Sequence, residues 1–371
     1  MLKRFEVKNF KNFGENLVFD LSEVKSYEFN PEAIKNNIVN KCLIYGPNGS
    51  GKSNLGFAIL DLVSHLTDTQ KDIRFYIDFL NAGSEENHAE FKYSFQFGKE
   101  SVDYCYHKTA HDLLVFEELH INGKQVIKYD RKKEKDIIVN LSGAETLNKF
   151  LNGNKISAVK YVKSNAVLKE NQTNKAFYEF YDFVERMLLF RSLDTNVYIG
   201  FQSGNSHIQP DIVKRGKLKD FEDFLNRNGI KCKLIKTIVN NQEDIAFDFG
   251  KKTINFYLNA SNGTKALTLF YYWLLRLREK TKAVSFLFID EFDAFYHHEL
   301  ARLVVEEVKN TSCQAILTTH NTALMSNDLL RPDCYFILDN NKIDPIYKFT
   351  DKELRKAHNI EKMYKAGAFD E

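Results

Sequence analysis

The segment NKCLIYGPNGSGKSNLGFAILDLVSHL constrains this chain more than any other part of it. Cys42 to Tyr45 is a short apolar run suited to a buried strand. It ends at Gly46-Pro47-Asn48-Gly49-Ser50-Gly51-Lys52-Ser53, which fits the pattern GxxxxGK[ST]. Its glycines let the backbone turn tightly with successive N–H groups aimed inward, so the amides of Asn48, Gly49, Ser50, Gly51 and Lys52 can surround a phosphate. The Lys52 ammonium would reach the β- and γ-phosphates of a nucleotide, the Ser53 hydroxyl would hold Mg²⁺, and Asn54 adjoins the same loop. Leu55, Ile59, Leu62 and Leu66 then recur at helical spacing, which predicts a helix whose N-terminus faces the anion.

A phosphate cradle binds nucleotide, and hydrolysis needs further groups. KAVSFLFIDEFDAFYHHELARLVVEEV supplies a near-continuous apolar run, Val284 to Ile289, of the kind a parallel strand shows when both faces are covered. It ends in Asp290-Glu291, where open α/β sheets place their ligands. Asp290 would orient the Mg²⁺ shell and Glu291 would polarise the attacking water. One helix later, predicted over Leu300 to Lys309, the apolar run from Gln314 to Thr319 delivers His320 to the same end of a neighbouring strand. A histidine there can hydrogen-bond a terminal phosphate or its attacking water.

Composition excludes several other classes. At 371 residues and 43% hydrophobic content the chain can bury a sizeable core, and its length allows two or three domains. The start, MLKRFEVKNFKNFGENLVFD, carries charges throughout, unlike a signal peptide. No run reaches the roughly eighteen apolar residues of a membrane helix. The five cysteines are scattered without a CxxC pair, so a reduced cytoplasmic protein with no membrane partner is expected. The net charge of +2 advertises no nucleic acid, and the basic run Arg131 to Lys135, flanked by Asp130 and Asp136, reads as a solvated loop.

Taken in order, FEVKNFKNF, GPNGSGKS, SNGTKAL, FLFIDEFDAF and ILTTHN resemble the ABC-type ATPase heads of structural-maintenance-of-chromosomes (SMC) and RecF-type proteins. More closely, they resemble the ABC-like AAA ATPases of bacterial anti-phage and abortive-infection systems. The resemblance implies an α/β P-loop head, a mixed sheet flanked by helices, with a mostly helical inserted domain. Residues 1–135 and 232–345 would form the two parts of the head, 136–231 the insertion and 346–371 a tail. It also implies ATP and Mg²⁺ as cofactors, and a homodimer or higher homo-oligomer in which two heads sandwich ATP. Ser261, Gly263 and Thr264, at the start of a helix, would form the signature that caps the partner's ATP. A separately encoded effector, for which a nuclease is one candidate, and DNA are the further partners implied.

The chain departs from the resemblance in places. Ala260 and Asn262 replace the leucine and second glycine of an LSGGQ signature, and Phe295-Tyr296-His297-His298 replaces the usual small residues. His297, His298 and Glu299 admit a metal cluster, but a loop and helix start is the expected reading. Gln96 is the position to check for a Q-loop. FKYSFQF and VDYCYHK alternate as antiparallel strands do, Asn122-Gly123 signals a hairpin, and Phe177, Phe180, Tyr181, Val184, Met187 and Leu188 share one face of a predicted helix. The leading expectation is an ATP-hydrolysing dimeric switch that regulates a defence effector. A DNA-clamping repair or organising ATPase and an ATP-binding scaffold with little turnover are alternatives, with a transporter subunit a weaker fourth.

Overall fold

The computed structural model describes residues 1–68, 73–151, 153–191, 198–200, 208–279 and 283–369. Its central sheet places five parallel strands in the order Met187–Arg191, Phe286–Asp290, Gln314–Thr318, Lys41–Tyr45 and Tyr335–Asp339, among the described residues. Antiparallel strands Tyr198–Gly200 and Lys342–Pro345 close its two edges. Lys41–Tyr45, Phe286–Asp290 and Gln314–Thr318 are buried at every residue, as their unbroken apolar character requires.

A second, antiparallel sheet runs from Ile138–Val139 through Lys124–Asp130, Leu113–Ile121, Glu100–Ala110 and Ala89–Phe97 to Leu2–Lys8 and Leu17–Asp20. Its strands alternate buried and half-exposed residues, so one face is aromatic core and the other meets solvent. The hairpin at Asn122-Gly123 forms as predicted, with both residues at positive φ (52° and 73°). The two sheets are joined through the helix Lys52–Ile59. The Tyr93 hydroxyl, from the antiparallel sheet, donates to the Ala58 carbonyl at 2.8 Å. On the other side Gly56 rests on the central sheet, where an added Cβ would lie 2.6 Å from Phe288 and 2.9 Å from Leu189. Gly56→Ala is therefore expected to lower stability by about 1–3 kcal/mol through overpacking, read as a fall in the urea midpoint at unchanged slope.

The predicted helix after the P-loop is interrupted. It ends at Ile59, and the chain turns before resuming as Val63–Leu66, although Leu55, Ile59, Leu62 and Leu66 are all buried. The aromatic stripe forms on Gln172–Glu185, capped by the Asn171 side chain. It packs internally: Phe180 lies 5.3 Å from Phe95, and Phe183 is 6.4 Å from Phe286, ring centre to ring centre. Met187 and Leu188 do not share that face. Met187–Arg191 leaves the helix and pairs in parallel with Phe286–Asp290, where its four consecutive apolar side chains are covered on both faces of the sheet. This strand, expected within the helical insertion, is thus part of the central sheet.

Among the described residues no helix is long and apolar enough to cross a membrane. All five cysteines are free.

Candidate functional site

The P-loop leaves the C-terminal end of Lys41–Tyr45 and turns into Lys52–Ile59 through Gly51, whose φ of 101° suits glycine. A Cβ on Gly51 would also collide with the Asn12 side chain. Asn12 backs the loop: its amide donates to the Ser50 carbonyl at 3.3 Å and its Oδ1 accepts from Asn54 at 2.7 Å. Lys52 is buried and donates to the carbonyls of Gly46 (2.8 Å) and Pro47 (3.1 Å) within the loop. Burial lowers the Lys52 pKa below the ordinary lysine value, opposed by the fields of Glu291 and Asp290. The Ser50 hydroxyl is buried and has no hydrogen-bond partner among the described residues. A buried donor without a protein partner, in a loop that only glycine can close, fits an anion cradle.

Phe286–Asp290 and Gln314–Thr318 are successive neighbours of the P-loop strand, so their C-terminal ends converge on it. Asp290 is buried. Its Oδ1 accepts from the Thr318 hydroxyl at 2.9 Å and its Oδ2 lies 3.1 Å from Arg191 Nε. The same Thr318 hydroxyl accepts from the Glu291 amide at 2.7 Å. One buried threonine therefore positions both carboxylate residues. Glu291 takes a φ of 46°, a left-handed conformation uncommon outside glycine, and its carboxylate lies 3.8 Å from His320 Nε2. Ser53 and Asp290 supply a hydroxyl and a carboxylate, the oxygen donors that Mg²⁺ takes.

The sequence matches, over residues 43–326, the family described as "AAA domain, putative AbiEii toxin, Type IV TA system". The chain belongs to this AAA family. A solved SMC head shares its fold. The Smc head domain with a coiled coil and joint from Pyrococcus yayanosii is 12% identical with a TM-score of 0.50, covering 98% of this chain and 99% of that one. The SMC head domain from Thermotoga maritima is 18% identical with a TM-score of 0.44, covering 93% and 98%. No curated protein matches the sequence. The protein is accordingly an ABC-like AAA ATPase-family member with an ABC-type head fold.

Ser261, Gly263 and Thr264, the expected signature, lie at the start of another helix. Ser261 caps the helix Asn262–Leu277, its Oγ accepting from the Thr264 amide at 3.1 Å, and the two hydroxyls sit 2.9 Å apart. Leu267, Phe270, Leu274 and Leu277 are buried on the far side. Ser261 and Thr264 thus bond each other and make no described bond to the P-loop of the same chain. A Cβ on Gly263 would lie 3.2 Å from the Phe295 carbonyl, which ties the signature to the loop after Glu291.

Several further side chains are engaged in contacts within the chain. Gln96 donates to the Gly98 and Glu100 carbonyls of a hairpin turn, so it takes no place beside the P-loop. His297 caps the helix His298–Lys309 by accepting from the Leu300 amide at 3.2 Å, and among the described residues His297, His298 and Glu299 form no convergent ligand group. Asp293 accepts from the Thr319 hydroxyl at 2.7 Å, and burial raises its pKa. Arg131 stacks on Tyr129, with the ring 4.5 Å away, which removes it from a free basic patch. Arg191, Thr318 and Asn12 are the site neighbours that sequence reading missed. Arg191 was hidden because its strand read as helix, and Thr318 and Asn12 act only through contacts between segments distant in sequence.

Proposed function

We propose that the chain binds and hydrolyses ATP as a dimeric switch. The observation that carries this reading is the convergence of the P-loop, Asp290, Glu291 and His320 at the ends of three adjacent parallel strands. Asn48 to Lys52 would cradle the phosphates with their amides, Asn54 would extend the loop's polar wall, and Lys52 would exchange the Gly46 and Pro47 carbonyls for phosphate oxygens. Mg²⁺, when bound by Ser53 and Asp290, neutralises charge on the phosphates. Thr318 holds Asp290 and the Glu291 backbone in register. Glu291 would take a proton from the attacking water, and His320, beside it, would report the terminal phosphate.

A dimer would give a purpose to the expected signature, which makes no described bond to its own chain's P-loop. Ser261, Gly263 and Thr264 would cap ATP held by a second copy, so that the nucleotide forms part of the interface. Supporting this, Tyr257 and Leu258, just before the signature, are large apolar residues 49% and 79% exposed. Gly263→Asp sets a carboxylate against the phosphates of the partner's ATP. We expect single-subunit ATP affinity to change little, while ATP-driven dimerisation disappears and turnover falls by about 100-fold. Light scattering with and without ATP, beside phosphate release, reads this; persistent hydrolysis would overturn the trans-signature assignment.

The family description, with its AbiEii toxin and type IV TA system, supports placing the switch in a bacterial anti-phage defence system, where it would control a separate effector. ATP-dependent copurification with the product of the adjacent gene tests that placement.

A further inference from the structure

The solvent side of the antiparallel sheet gathers a set of ligating side chains far in function from the P-loop chemistry. Glu90 stands directly opposite His107 in the ladder between Ala89–Phe97 and Glu100–Ala110. His88, two residues before Glu90, emerges on the same side. Glu90 Oε1 lies 3.5 Å from His88 Nε2, and Glu90 Oε2 lies 4.0 Å from His107 Nε2. The two imidazole rings stack with centres 4.8 Å apart, and one donor atom from each of the three residues lies within 4.8 Å of the others. Cys105, two residues from His107 and on its side of the strand, brings its Sγ to 3.9 Å from His107 Nε2. Neighbouring cations do not occupy the carboxylate. Lys8 is opposite Glu90 on the other flanking strand but bonds Glu86 at 2.5 Å, and Lys92, opposite Cys105, is exposed.

We propose that His88, Glu90 and His107, with Cys105 as fourth donor, bind a divalent transition-metal ion of the zinc class. Nitrogen and oxygen donors held tetrahedrally at about 2.0–2.1 Å from such an ion stand about 3.4 Å apart, near the 3.5 and 4.0 Å already present between Glu90 and the two histidines; the Cys105 sulfur stands outside that group of three and must turn toward it to bind. Two imidazoles, a carboxylate and a thiol select this class over Mg²⁺ and Ca²⁺, which take oxygen shells. Four protein donors leave no open coordination position, which makes the ion structural. It has a segment to hold. The carbonyls of Glu86 and His88 both accept from the Asn9 side-chain amide at 2.8 Å, and the turn that begins at Asn9 carries Asn12, which backs the P-loop.

The test uses the untagged full chain, stripped by a chelator, returned to chelator-free buffer without nucleotide, and titrated with Zn²⁺ against a chromophoric chelator. Wild type should take up one tightly bound ion per chain. The His88→Gln/His107→Gln double variant should bind it at least about 100-fold more weakly. Glu90→Gln, which changes no shape, should weaken it in the same direction and serves if the double variant does not fold. With Co²⁺ in place of Zn²⁺, Cys105→Ser should abolish the near-ultraviolet thiolate band and keep the visible bands. Equal Zn²⁺ stoichiometry and affinity in wild type and the folded variants would overturn the site; an unchanged Co²⁺ spectrum in Cys105→Ser would remove the thiol from it.

Discussion

Lys52→Ala is expected to weaken ATP binding by about 100-fold or more and to abolish turnover. A single hydrogen bond from a charged group contributes about 1.5–3 kcal/mol, and this ammonium would serve two phosphates. Held inside the loop on the carbonyls of Gly46 and Pro47, it lies where burial disfavours its charge more than Glu291 and Asp290 favour it, so an incoming polyphosphate would add counter-charge. The measurement is nucleotide affinity by calorimetry, with thermal melting to confirm that the variant folds. Wild-type affinity in a folded Lys52→Ala protein would place the nucleotide elsewhere.

Glu291→Gln should separate binding from chemistry. The amide keeps the size of the side chain and the same left-handed backbone, so the loop after Phe286–Asp290 and the Thr318 contact are retained. It cannot take a proton. A general base contributes about 10²–10⁴-fold to rate, so kcat should fall by about 10²–10³-fold with ATP affinity unchanged, the pattern of a group that acts only in the transition state. Slow turnover should also trap the ATP-bound dimer, visible by light scattering. Phosphate release that is equal and near zero in both proteins would sink the enzyme reading in favour of a scaffold. Equal release at a measurable rate would leave the enzyme and dismiss Glu291 as its base.

Both predictions rest on segments legible in the sequence, and for a common reason. GPNGSGKS dictates its own backbone path through its glycines, and the runs ending at Asp290 and at Thr318 are apolar enough to demand burial on both faces. The reading failed where a local pattern had two solutions. NKAFYEFYDFVERMLLFRSLD carries helical periodicity into Leu188, yet its second half is also a continuous apolar run, and the open edge of the central sheet beside Phe286–Asp290 decided between them. Leu55 to Leu66 kept its burial but lost helical continuity, because periodicity reports which residues face the core and is silent about a turn between them.

The sequence by itself determined the class of fold and the placing of GPNGSGKS, Asp290-Glu291 and His320 after three apolar strands, since each depends on residues adjacent in the chain. Only the tertiary structure decided that Thr318 would hold both Asp290 and Glu291, that Arg191 would face Asp290, and that Asn12 would lie against the P-loop. It likewise set His88, Glu90 and His107 together, and bonded Ser261 to Thr264 at a helix start. Those relations are fixed by strand order and register, where a shift of one residue would turn every side chain to the opposite face.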